Sequence, residues 1–112
     1  MIKQTMGADN GAIAVSHTVA GTRWQQLTSV TLNLSAAPTT AGNLTIALDS
    51  GQGAEYDTTL YTVDPAATAM TDLLWQPAQP LYLRPGDTIH VAYANADTWL
   101  WGVIVTALEV AP

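Results

Sequence analysis

Apolar and polar side chains alternate with a period of two along much of this chain. The alternating sets are Ile13/Val15/His17/Val19, Val30/Leu32/Leu34, Leu44/Ile46/Leu48 and Ile89/Val91/Tyr93. A period of two with many β-branched residues is typical of half-buried strands. Gly, Pro, Asn and Asp separate the runs, so the pattern predicts seven or eight short strands. We therefore expect an all-β, single-domain antiparallel β-sandwich that resembles a jelly roll.

The start of the chain lacks this apolar alternation. Residues 1–11 are mostly polar and contain two glycines. We expect them to form an extended N-terminal arm, followed by a β-sandwich domain over residues 12–112. Ile2 and Met6 are its candidate anchors. The arm would become ordered on binding, or add a strand to the sheet edge of a neighbour.

The last predicted strand, residues 98–110, is apolar on both faces. Trp99, Trp101 and Val103 alternate with Leu100 and Ile104. A strand that is apolar on both sides is covered on both sides. Because the second sheet of a sandwich covers only one side, the N-terminal arm, a loop or another subunit must cover the other. The candidate interface residues are Ile2, Met6, Trp99, Trp101, Val103 and Ile104.

Composition narrows the choice of partner. The chain has 112 residues, with 3 basic and 9 acidic side chains and a net charge of −6. So few basic residues argue against nucleic acid and anionic membrane as partners. Only 11% of the chain is charged whereas 48% is hydrophobic, which excludes a disordered chain. The absence of cysteine excludes disulfides and thiol chemistry, and fits assembly in a reducing cytoplasm.

Catalytic signatures are lacking. His17 and His90 each fall within an alternating strand, and His17 lies on the apolar face, where a core or interface histidine is the favoured interpretation. The serines have no nucleophile-elbow setting, and no phosphate-binding loop follows a strand. A jelly-roll enzyme of the cupin kind would need a His-rich metal cluster. We therefore expect no enzymatic activity and no cofactor.

One loop carries the chemistry of a calcium site. Asp49, Glu55 and Asp57 lie in a glycine-containing segment, and calcium prefers oxygen ligands from flexible loops. The spacing does not match an EF-hand, and Gly51 and Gly53 are equally explained by a long turn. We expect no metal, with calcium at these three carboxylates as the alternative.

Tryptophan and tyrosine provide a second functional hypothesis. The chain has four of each and no phenylalanine. Such rings suit both interfaces and sugar-stacking platforms. In the sugar-binding alternative, the stacking residues are Trp24, Trp75, Trp99 and Trp101, with Trp99 and Trp101 forming a flat pair. The competing interpretation places these rings in the core or in a subunit contact.

Three segments carry a resemblance to a known class of proteins. They read VTLNLSAAPTTAGNLTIALDS, AEYDTTLYTVDP and LLWQPAQPLYLRPGDTIHVAYANAD, and together cover about two thirds of the chain. In style, a short cysteine-free β-chain with few charges resembles the small virion proteins of tailed bacteriophages, in particular the head decoration or cement type. No diagnostic motif carries the likeness.

The resemblance implies a non-enzymatic structural virion protein. Such a protein would bind the lattice of the major capsid protein on the capsid exterior, as a homo-oligomer with a trimer favoured, and clamp neighbouring capsomers. The alternative is a carbohydrate- or receptor-binding β-sandwich module of the tail-fibre or adhesin type.

Overall fold

The computed structural model describes residues 1–110, which form nine β-strands. The strands are β1 (Ile2–Asp9), β2 (Ile13–Thr18), β3 (Gln25–Leu34), β4 (Leu44–Asp49), β5 (Thr58–Val63), β6 (Asp72–Trp75), β7 (Leu81–Leu83), β8 (Thr88–Tyr93) and β9 (Trp101–Glu109). A single 3₁₀ turn, Ala54–Tyr56, precedes β5. The four alternating runs of the sequence correspond to β2, β3, β4 and β8, as predicted.

The strands form two antiparallel sheets packed face to face. The larger sheet has the order β1-β9-β3-β6, with β7 also paired to β3, and the smaller has the order β2-β8-β4-β5. If β6 and β7 count as one interrupted strand, the first strand pairs with the last, the second with the penultimate, and so on inward to β4 and β5. These nested pairs alternate between the two sheets. This is the jelly-roll arrangement of a β-sandwich.

The core lies between the sheets and is almost entirely aliphatic. Its fully buried side chains include Ile13, Val19, Leu27, Val30, Leu34, Leu44, Ile46, Leu83, Ile89, Val91, Val103 and Val105. They come from the inward half of each alternating strand, because successive side chains in a strand point to opposite faces. Burial of this set provides the main driving force for folding.

The N-terminal arm predicted for residues 1–11 is wrong. Residues 2–9 form β1, which pairs with β9 along its whole length, from Ile2 opposite Leu108 to Asp9 opposite Trp101. Backbone pairing holds this strand at the edge of the larger sheet although its inward side chains are small or polar. Gly7 is one of them, and a Cβ there would lie 2.9 Å from Val15 Cγ2. Absence of a side chain therefore lets β1 approach β2.

The chain interrupts the other edge of the larger sheet with prolines. Residues 76–80 leave the sheet between β6 and β7, and contain Pro77 and Pro80. Proline cannot donate a hydrogen bond to a neighbouring strand, so the pairing with β3 stops and resumes. Beside this interruption, the ring of Trp75 stacks on Tyr61 with a centroid separation of 6.2 Å.

Candidate functional site

The outer face of the larger sheet carries apolar side chains, most of them exposed, which we call the apolar face. They are Ile2 and Met6 on β1, Ile104 and Leu108 on β9, and Leu74 on β6. Strand register aligns Met6 with Ile104, and both Ile104 and Leu74 with Thr31 of β3. One row therefore crosses four strands. Met6 is 69% exposed and Leu74 is 64% exposed.

A groove of about 680 Å³ runs over this row. Gly102 lies in its lining, and a Cβ added there would meet no atom within 4 Å. The absence of that side chain leaves the groove open. At one end of the groove, the amide of Asn33 donates to the carboxylate of Asp72 over 2.6 Å. This hydrogen bond fills one acceptor position of the carboxylate, which places a charged group at the rim of the groove.

The structure divides the predicted interface residues into three groups. Ile2 and Met6 are exposed and Ile104 is half-buried, all on the apolar face. Trp101 and Val103 point inward and belong to the core, so their placement in an interface is wrong. The alternation in β9 starts at Trp101, and every second residue from there faces the other sheet. Trp99 lies before β9, in the loop that precedes it.

The sequence predicts that both sides of the last strand are covered, and within residues 1–110 only the inward side has a covering sheet. The smaller sheet covers the inward side. The N-terminal segment lies beside β9 rather than over it, and within residues 1–110 the outward residues Met6 and Leu108 are exposed to solvent. The intrachain cover is therefore not present in the part of the chain that the structure describes.

The outer face of the smaller sheet, which we call the polar face, is built differently. Its outward residues on the central strands are small or polar: Thr88, His90 and Ala92 on β8, and Thr45, Ala47 and Asp49 on β4. Across them, the Ser16 hydroxyl is 2.7 Å from His90 Nδ1. His90 Nε2 is 3.4 Å from Asp49 Oδ2.

This Ser16–His90–Asp49 row was not predicted, because the three residues come from three strands. It has the residue types of a nucleophile, a base and an orienting carboxylate. In the serine hydrolase arrangement, the serine contacts Nε2 and the aspartate contacts Nδ1, which is the reverse of what is seen here. All three side chains also lie on an open sheet surface, where His90 is 44% exposed. Catalysis needs a pocket that excludes water and orients a substrate, and an open face does not provide one.

His17 is a buried structural histidine, as the sequence predicts. Its Nδ1 is 2.9 Å from the Thr5 hydroxyl and its Nε2 is 2.7 Å from the Gln25 side-chain oxygen. A neutral ring that donates from Nε2 and accepts at Nδ1 satisfies both contacts. Because Thr5 and Gln25 belong to the larger sheet and His17 to the smaller one, the ring connects the two sheets.

The three carboxylates of the calcium hypothesis do not converge. Asp49 lies beside His90, and the carboxylate of Asp57 accepts the backbone N–H of Ser50 at 2.8 Å. Glu55 lies next to Gly53, the residue with a φ of 134° at the start of the 3₁₀ turn. Within residues 1–110, no three His, Cys, Asp or Glu side chains are grouped closely enough to hold a metal ion. The loop glycines instead serve the turn.

The four tryptophans do not form a stacking platform. Trp101 is 7% exposed and donates its Nε1–H to the carbonyl of Gly11. Trp75 packs against the core, and Trp99 is half-buried. The flat Trp99–Trp101 pair predicted for sugar stacking is therefore wrong, because one ring is inside the sandwich. Trp24 is exposed and lies under the Arg84 guanidinium at 4.9 Å.

At the end of the sandwich next to Trp101, hydrogen bonds of buried Asn95 and surface Asp97 connect the loops. The Asn95 amide donates to the carbonyls of Gly11 and Trp99, each at 2.9 Å. On the surface, the Asp97 carboxylate accepts the Thr40 hydroxyl at 2.7 Å and the Thr39 backbone N–H at 2.7 Å. These hydrogen bonds, led by the Thr40 hydroxyl, lower the pKa of Asp97.

The sequence matches no known protein family and no curated protein. Among the described residues, no helix has the length and apolar character needed to cross a membrane. What the chain does must therefore be inferred from the chemistry of its own surfaces.

Proposed function

We propose that this chain is a non-enzymatic structural virion protein that decorates the outer capsid lattice of a tailed bacteriophage. The observation that carries the proposal is the row of Met6, Ile104 and Leu74 on the apolar face. Apolar side chains that line an open groove mark an interaction surface, because water is released when a partner covers them. The resemblance in sequence style supplies the capsid as the partner.

The low charge of the chain supports a role in assembly. Covering an ionised group requires its desolvation, and 11% charged residues keep this cost small. In a symmetric lattice the same contact repeats many times. Weak contacts repeated in this way add up to strong attachment. We propose that the apolar face joins copies into a homo-oligomer, with a trimer favoured, and that the oligomer attaches to the major capsid protein on the capsid exterior.

The sugar-binding module of the tail-fibre type has less support from the tryptophans. The predicted platform requires the tryptophan rings to be open to solvent, whereas Trp101 and Trp75 pack in or against the core. The assembly proposal uses residues that are already on the surface.

Light scattering coupled to size-exclusion chromatography gives the first test. We expect a mass three times the 11.8 kDa of one chain. The second test adds the purified protein to heads of the encoding bacteriophage prepared without it, followed by sedimentation. We expect the protein to sediment with the heads. A stable monomer that leaves the heads bare would overturn the proposal.

A pair of matched variants ties the result to the surface. Gly102→Val fills the groove on the apolar face, and valine suits a strand. Ala47→Val adds similar volume to the polar face. We expect Gly102→Val alone to reduce the oligomer and the amount bound to heads. Equal behaviour of the two variants would exclude the groove as the contact.

A further inference from the structure

Three exposed aromatic side chains lie around Arg84 at one end of the sandwich. They are Trp24, Tyr56 and Tyr82, which are 39%, 59% and 51% exposed. Tyr56 and Tyr82 line a cleft of about 400 Å³, together with Arg84. Trp24 adjoins it through Arg84, whose guanidinium lies 4.9 Å from the centre of the indole ring. The other tryptophans and tyrosines of the chain are buried or half-buried.

The loops that form this cleft, which we call the aromatic cleft, are fixed to each other. The buried Asp87 carboxylate accepts the backbone N–H of Gly51 at 2.9 Å and that of Arg84 at 2.8 Å. At Gly51, a Cβ would lie 2.7 Å from the backbone of Gly86, so only glycine permits this approach. The β4–β5 loop and the β7–β8 turn are therefore held in one geometry. A site held in this way loses little entropy on binding.

The lining combines apolar ring faces with hydrogen-bonding groups. Ser50 and Gln52 lie beside the two tyrosines and Arg84. The other basic residues, Lys3 and Arg23, pair with Glu109 at 3.9 and 4.0 Å. Within residues 1–110, Arg84 has no carboxylate at ion-pair distance, so its N–H groups remain available as donors.

This chemistry fits a sugar ring. A pyranose offers an apolar C–H face to an aromatic ring and a rim of hydroxyls to amide, hydroxyl and guanidinium groups. The cleft volume lies within the ordinary range of ligand sites. An anionic ligand is disfavoured, because the chain has a net charge of −6 and the β4–β5 loop itself carries Glu55 and Asp57. We propose that the aromatic cleft binds a neutral saccharide.

Titration of the full-length, isotope-labelled protein by NMR tests the proposal. The probes are cellohexaose, maltohexaose, chitohexaose and xylohexaose, with hexagalacturonate as the acidic comparison. We expect at least one neutral probe to give saturable shifts at the amides of Gln52, Tyr56 and Tyr82. If no neutral probe shifts these amides, or if only hexagalacturonate does, the assignment is overturned.

Variants then locate the site. We expect Tyr82→Ala and Gln52→Ala each to weaken binding about tenfold or more, which is about 1.4 kcal/mol. The control is Leu100→Ala, another exposed apolar residue, at the opposite end of the sandwich. Thermal melts confirm that each variant is folded, and Gln52→Ala changes an exposed side chain that the core does not need. Unchanged affinity in both cleft variants would place the sugar elsewhere and refute the proposal.

Discussion

The two outer faces of this sandwich are made from the same kind of strand but differ in their apolar side chains. On the central strand β9 of the larger sheet, the outward positions include Ile104 and Leu108. On the central strand β4 of the smaller sheet, they are Thr45, Ala47 and Asp49. The inward positions of both strands are mostly buried apolar residues, such as Leu44 and Ile46 on β4 and Val103 and Val105 on β9. Folding therefore constrains the inward residues of each strand, whereas the outward residues are free to determine what the protein contacts.

The difference shows that the apolar face is not a requirement of the fold. The polar face covers its sheet with threonine, alanine and serine, and the sheet is no less paired. Exposed Met6 and Leu74 add nothing to the core between the sheets. A partner is the physical reason that we infer for such residues on a sheet that folds without them.

The largest expected effect is on the free energy of unfolding, and it distinguishes the inward from the outward side of β9. Trp101→Ala removes a buried ring and its hydrogen bond to Gly11, and should lower the free energy of unfolding by about 3–5 kcal/mol. Ile104→Ala, three residues along on the outward side, should cost far less. Urea denaturation of both variants measures this. Similar losses would show that the outward side of β9 contributes as much to the stability of the folded chain as the core does.

The second prediction compares the two outer faces directly. Ile104→Lys introduces a charge at a half-buried outward position of β9, and Thr45→Lys does so at a half-buried outward position of β4. An interface that includes Ile104 would have to bury an unpaired charge, which costs several kcal/mol. We expect Ile104→Lys to be monomeric by light scattering, at unchanged monomer stability.

Thr45→Lys is the control for charge on a sheet face. It should retain the mass and the head binding of the unmodified protein. If Thr45→Lys dissociates the oligomer and Ile104→Lys does not, the roles of the two faces are reversed.

The inward-facing residues could be predicted from the sequence, because the alternation of apolar and polar residues indicates directly which side chains are buried. The sets in β2, β3, β4 and β8 each face the core as expected. The strand β1 was missed, since its inward residues include Thr5 and Gly7 rather than aliphatic side chains. Backbone pairing with β9 holds this strand, and backbone pairing leaves no trace in hydropathy.

The candidate sites were less predictable for a related reason. The sequence shows that β9 is apolar on both sides. Which side faces the core is set by the pairing of β9 with β1 and β3. The aromatic cleft joins Tyr56 and Tyr82 from distant loops, and the Ser16–His90–Asp49 row joins three strands. Only the strand order brings such residues together.

The third prediction concerns stability in acid. It tests the loops that close the end of the sandwich rather than either outer face. Hydrogen bonds from Thr40 and Thr39 lower the pKa of Asp97 below its ordinary value of 3.8. The ionised form is therefore favoured by folding. Its contribution is present above the ordinary pKa and is lost as the pH falls through the lowered one.

We expect Asp97→Asn to be less stable than the unmodified protein at neutral pH, and this difference to shrink toward about pH 2. Urea denaturation at the two pH values measures it. Thr18→Ala, which removes an exposed hydrogen bond to Thr88 on the polar face, should show no such pH dependence. A constant difference for Asp97→Asn would mean that ionisation of this carboxylate does not contribute.

The smallest expected effect is on the polar face itself. Ser16→Ala and His90→Ala remove exposed contacts at 2.7 and 3.4 Å, and each should change the free energy of unfolding by less than about 0.5 kcal/mol. The same variants test whether the row is chemically inert. A fluorophosphonate probe labels activated serines, and we expect Ser16 to remain unlabelled in the native protein. Labelling at Ser16 that disappears in His90→Ala would give the polar face a reactive role, and would remove the contrast between an inert face and a binding face.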